Sequence, residues 1–108
     1  MHPLLSGTPA SPGTASGRAR VFDKPTEDQA LEPGDILVTV VTDPMSFVDI
    51  IENAAALVTD LGGITSHPAI LARELGIPCV VGTRTGTQTI KDGTTIMVDG
   101  SAGQIYQV

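Results

Sequence analysis

The clearest hydrophobic pattern in the chain is a set of short apolar runs separated by turn residues and helical spacings. Ile36 to Val41 is a β-branched apolar stretch of strand length, bounded by Gly34-Asp35 and Asp43-Pro44, and predicts a buried strand. Asp43 before Pro44 then reads as a helix start. Phe47, Ile50, Ile51 and Ala54 recur at i, i+3, i+4 and i+7 beyond it, the stripe of a helix laid on a sheet. Ala56 to Thr59 predicts a second buried strand that runs into Asp60-Leu61-Gly62-Gly63. Pro68 to Leu75 predicts a short helix, with Leu71 and Leu75 facing the core and small Ala72 permitting close approach; Gly76 ends it and Pro78 prevents its continuation. Cys79 to Val81 is a further strand. Arg18 to Phe22 alternates like a strand entered through a turn-rich loop from Gly7 to Gly17, and Glu27 to Glu32 reads as a solvated connector. Lys91-Asp92-Gly93 and Asp99-Gly100 separate Thr94 to Val98 from Gly103 to Tyr106 as hairpin-like strands. Residues 1–6 carry no periodicity and are expected to be disordered, with His2 incidental.

Size and charge narrow the classes of function. A chain of 108 residues is expected to form one domain, with a single core that buries roughly two-thirds of the unfolded surface. Twelve acidic residues against six basic ones give a net charge of −6, with no Lys/Arg cluster to neutralise a nucleic acid or an anionic membrane. Neither partner is expected. One cysteine excludes an internal disulfide framework, and without a signal sequence or a membrane-length apolar run the expected compartment is the cytoplasm. Three aromatic residues and no tryptophan leave little to stack on nucleic-acid bases. No P-loop, dinucleotide fingerprint or dense carboxylate cluster appears, so no metal ligands and no cofactor are assigned to the chain itself.

The chemistry concentrates in Gly62-Gly63-Ile64-Thr65-Ser66-His67-Pro68-Ala69-Ile70-Leu71-Ala72-Arg73. A glycine-rich turn here delivers one histidine to a helix start, where unpaired N–H groups and the positive dipole end favour anions. Histidine offers a neutral, nucleophilic nitrogen at neutral pH, so His67 could carry a phosphoryl group. Gly62 and Gly63 allow the backbone to approach a phosphate, while Thr65, Ser66 and the N–H groups of Ala69 and Ile70 would spread its charge. Each residue also has a plainer reading. A histidine after a glycine turn often serves as a hydrogen-bonded structural residue, and Thr65 could simply cap the helix. Arg73, one and a half turns on, could reach a partner or a neighbouring carboxylate instead of phosphate, or simply lie on a solvated face. Cys79, in an apolar run, reads as inert core.

This segment resembles the phosphohistidine signature of the phosphoenolpyruvate-utilising enzymes, the family of pyruvate phosphate dikinase, phosphoenolpyruvate synthase and the first enzyme of the sugar phosphotransferase system. The similarity extends to Leu31-Glu32-Pro33-Gly34-Asp35-Ile36-Leu37-Val38-Thr39, to Thr42-Asp43-Pro44 and to Glu74-Leu75-Gly76-Ile77-Pro78-Cys79-Val80-Val81-Gly82-Thr83. Pro68 departs from it, standing where the family has a small Ala, Ser or Thr; it spares a helix start but removes one N–H. The resemblance implies an α/β fold, a compact swivelling β/β/α phosphohistidine domain, with His67 transiently phosphorylated. It further implies that Mg²⁺ and ATP or phosphoenolpyruvate are used in partner domains, so that nucleotide-binding or phosphoenolpyruvate/pyruvate-binding domains on other chains complete the reaction. Two alternatives stay open. One is a non-catalytic regulatory or interaction module retaining the carrier fold; the other is the carrier subunit of a split enzyme phosphorylating an aromatic or antibiotic substrate.

Overall fold

The computed structural model describes residues 2–22, 31–40 and 51–108. Its elements run β1 (Leu5–Ser6), β2 (Thr8–Ser11), β3 (Thr14–Phe22), β4 (Ile36–Thr39), β5 (Ala56–Thr59), α1 (His67–Leu75), β6 (Cys79–Val81), α2 (Gly86–Thr89), β7 (Thr95–Asp99) and β8 (Gln104–Gln107). The strands form one sheet in the order β1-β8-β7-β3-β4-β5-β6-β2. Its centre is parallel, with β3 to β6 side by side and registers such as Val38 opposite Val58 and Val58 opposite Val80. Its flanks are antiparallel. Every residue of β4, β5 and β6 is buried, as expected for strands covered on both faces.

Two apolar clusters cover the two faces. Leu37, Leu57, Cys79 and Val81 pack with Ala69 and Ala72 of α1 and with Ile51 and Ala54 on one side. Ile36, Val38, Ala56, Val58 and Val80 pack with Ile90 and with Ile96, Val98 and Ile105 of β7 and β8 on the other. Alternate residues of each central strand feed opposite clusters because successive side chains point to opposite faces. The helix expected over Asp43 to Ala54 falls largely outside the described residues, as does most of the Glu27 to Glu32 connector. Of the stripe predicted for that helix, Ile51 and Ala54 are described, and both are buried.

The amino-terminal quarter differs from its reading as a disordered end and a loop. Leu5 and Ser6 pair with Ile105 and Gln104 of β8, while Thr8 to Ser11 pair with β6 at the opposite end of the strand order. One run of chain, turning at Gly7, therefore supplies both outermost strands. A Cβ at Gly7 would stand 2.6 Å from the Val81 carbonyl oxygen, so only glycine lets the backbone cross there. Both edge strands are short, of two and four residues, which limits what another chain could pair with. In α1, Leu71 is half-buried against the core as expected, but Leu75 is exposed and Pro68 is buried instead. Small Ala69 and Ala72 make the contact, bringing the helix backbone close to the sheet. Among the described residues, no helix is long and apolar enough to cross a membrane.

Candidate functional site

Parallel strands end together, so the segments that follow β5 and β6 meet at one edge of the sheet, the edge where open α/β sheets place ligands. After β5 the chain runs through Asp60 to Ser66 into α1, which begins at His67; Pro68 occupies the second helical position. Gly62 takes φ +113°, a left-handed conformation that a side chain resists, and a Cβ there would meet Ser66 Oγ at 2.9 Å. Ser66 stands at the N-cap position without capping the helix through its side chain. Its hydroxyl donates to the Gly63 carbonyl at 2.6 Å and its N–H donates to the same oxygen at 3.0 Å, closing the turn that presents His67.

The imidazole of His67 is half-buried, and its Nε2 atom is covered with no hydrogen-bond partner among the described residues. A buried ring nitrogen without a partner is costly, which singles this atom out among the polar side-chain atoms of the described residues. At the helix start, the Ile70 N–H donates to the Ser66 carbonyl at 3.1 Å within the helix. Pro68 has none to give. The N–H groups of His67 and Ala69 are the first-turn donors without an intrahelical acceptor. Gly63 and Thr65 are exposed beside them.

Arg73 is exposed, and its guanidinium is engaged by backbone carbonyls. Its guanidinium donates from Nη1 to the Ala10 carbonyl at 2.7 Å and from Nη2 to the Ile64 carbonyl at 2.8 Å, tying α1 to β2 and to the histidine turn at once. Burial pushes the Cys79 thiol up to about 12, with Arg73 acting weakly in the opposite direction, so this cysteine is inert core.

Asp60 and the segment after β6 carry no pattern that singles them out in the sequence, yet they brace the turn. The buried Asp60 carboxylate accepts from the Thr87 N–H at 2.9 Å and the Thr87 hydroxyl at 2.6 Å, anchoring α2 beneath the turn. Thr83 and Arg84 donate their N–H groups to the carbonyls of Thr59 and Asp60, at 3.1 and 2.9 Å. Around His67 three large apolar side chains face solvent: Leu61 and Ile64 are each 54% exposed and Ile70 is 43% exposed. The site is therefore a half-buried histidine in a tightly hydrogen-bonded turn, with exposed apolar side chains within six residues on either side in the chain.

Comparison with known proteins adds the lineage. The family described as PEP-utilising enzyme, mobile domain, matches residues 31–103. Over 104 residues the chain is 50% identical to a probable phosphoenolpyruvate synthase of Archaeoglobus fulgidus, covering 96% of this chain and 14% of that protein. It is 53% identical over 104 residues to the phosphoenolpyruvate synthase of Aeropyrum pernix, covering 95% and 13%. The solution structure of an Enzyme I protein aligns with a TM-score of 0.64 and 35% identity, over 71% of this chain and 32% of that one. The chain thus spans about one-seventh of the length of the curated relatives it matches.

Proposed function

Starting from the fact that the chain belongs to the mobile-domain family of PEP-utilising enzymes, we propose that it is a phosphoryl carrier, loaded and unloaded at His67 by partner domains. The observation that supports this most strongly is the placement of the sole histidine of the turn. It stands at a helix start, beyond the C-terminal end of a buried parallel strand, with one ring nitrogen covered and without a partner among the described residues. In the forward step a neutral imidazole nitrogen attacks the donor phosphorus in line; the N–P bond forms as the bond to the leaving oxygen breaks. The reverse step hands the group to the acceptor. For Nε2 to be that nitrogen, the ring must turn or the glycine turn must open, since the atom is covered.

The residues of this chain divide the remaining work. Gly62, Gly63 and Ser66 set the turn, Arg73 clamps it to the body of the domain, and the Ala69 N–H with the Thr65 hydroxyl stabilises the bound dianion. Leu61, Ile64 and Ile70 exclude water from the reacting groups when a partner surface closes over them. The donor and acceptor sites, with ATP or phosphoenolpyruvate and Mg²⁺, belong to those partners, either further along the same polypeptide or on other chains. The test is incubation with a cognate partner and phosphoenolpyruvate or ATP. An acid-labile, alkali-stable phosphate should appear on this chain and be absent from His67→Ala. Equal labelling of the two proteins would remove His67 from the role, and no labelling of either would leave an interaction module.

A further inference from the structure

Arg84 stands out by its backbone. Among the described residues it is the one non-glycine residue with positive φ, at 71°. This left-handed conformation crowds a Cβ and, outside glycine, tends to persist where function requires it. The surroundings hold it there: the Arg84 N–H is bonded to the Asp60 carbonyl at 2.9 Å, and a Cβ on Gly82 would lie 3.0 Å from the Gly62 carbonyl oxygen. Arg84 therefore follows β6 at the same edge, and against the same segment, where the histidine turn follows β5.

Its charge is also unlike that of the other arginines. Arg18 and Arg20 lie within 4.0 Å of Asp35 or Asp92, and Arg73 gives its guanidinium to two carbonyls. Arg84 is exposed, and no carboxylate among the described residues lies within 4.0 Å of it. On a chain of net charge −6, a cation at this edge with no carboxylate partner among the described residues locally opposes the repulsion an incoming phosphate would feel. A structural role does not account for the side chain, since glycine would take the same φ without crowding.

We propose that Arg84 is an anion-binding residue of the histidine edge, placed there to attract the phosphoryl group that His67 receives and holds. This rests on the carrier reading above. The shared chemistry is a phosphoryl dianion, either on the approaching donor or already on His67. Phosphoramidate serves as the probe because it needs no partner: the His67 nitrogen forms an N–P bond as the P–N bond of the probe breaks, and ammonia leaves with the proton displaced from the ring. His67→Ala provides the blank.

Arg84→Gly should slow labelling about tenfold at low ionic strength, with the gap closing in high salt. The phosphorus-31 titration midpoint of its phosphohistidine should move upward by roughly half a unit or more, because the dianion loses a favourable charge. A change in rate alone assigns Arg84 to the donor, and a change in midpoint alone assigns it to the bound phosphate; either supports the proposal. Arg84→Lys should keep most of both effects, and Arg84→Gly should melt at or above the parent temperature. A glycine variant that labels and titrates like the parent, or that melts well below it, overturns the inference while leaving His67 as carrier. A parent protein that takes no label defeats the carrier reading and this inference with it.

Discussion

The two ends of the central parallel strands are built on opposite principles. At the amino-terminal end, just before β4, the buried Asp35 carboxylate accepts from Arg18 Nε and Nη2 at 3.3 and 3.0 Å and from the Glu32 N–H at 3.0 Å. Arg20 links it onward to Asp92, whose carboxylate also accepts from the Val21 N–H at 2.9 Å. Burial alone would raise the Asp35 pKa, but the Arg18 hydrogen bond, the Glu32 N–H and the neighbouring arginine charges outweigh it and hold the carboxyl below its ordinary value. At the carboxy-terminal end, His67 Nε2 has no hydrogen-bond partner among the described residues, apolar side chains face water, and an arginine sits in a glycine-like conformation. One end closes the fold with paired charges, and at the other the described residues leave polar and apolar groups without partners.

The contrast predicts that substitutions at the two ends fail in different assays. His67→Ala should eliminate phosphate labelling altogether while changing stability by at most about 1 kcal/mol, because the ring contributes little packing and removes its own unpaired nitrogen when deleted. Labelling together with a thermal melt reads both. The comparison would break at this point if the variant unfolded.

Asp60 sharpens the division, because it is a closed element beneath the open end. Asp60→Ala should cost about 2 kcal/mol, leaving the Thr87 N–H and hydroxyl without their acceptor and loosening the start of α2. Denaturant midpoints would measure the loss. Amide exchange should show it centred on residues 83–90, and protection at β7 and β8 should change least.

Asp35→Asn should cost about 1–2 kcal/mol, moderated because Arg18 is half-exposed, and should leave labelling at His67 intact. The pH dependence has a definite sign. A carboxyl whose folded-state pKa lies below its unfolded value of about 3.9 stabilises fully above that value, and this contribution is lost as pH falls through the lower folded one. Stability of the parent should therefore decline on acidification below about pH 4 more steeply than that of Asp35→Asn. Parallel acid profiles would count against the clasp.

The smallest effect is expected at Arg73. Arg73→Met should lower stability by about 1 kcal/mol, since two carbonyls regain access to water while the aliphatic stem is kept. Labelling should slow without being abolished. An unchanged rate would mean that the Ile64 tether does not position the turn.

Much of this was legible locally. β5 and β6 lie where their apolar runs predict, α1 ends at the Gly76 left-handed cap, and the Gly62-Gly63 turn delivers His67 to a helix start. Those features follow from periodicity and turn chemistry acting within a few residues, which a sequence displays directly. β1 and β2 were not legible, because short strands containing Gly and Pro acquire their conformation from β8 and β6, paired across most of the chain. The hydrogen bonds that finish the site share that origin: Asp60 with Thr87 spans 27 positions, and Arg73 with Ala10 spans 63. The sequence by itself determined which histidine the glycine turn presents and the local frame that offers it. Only the tertiary structure decided which N–H groups stay free, what Arg73 holds and where Arg84 stands, because each depends on segments that meet only when the sheet assembles.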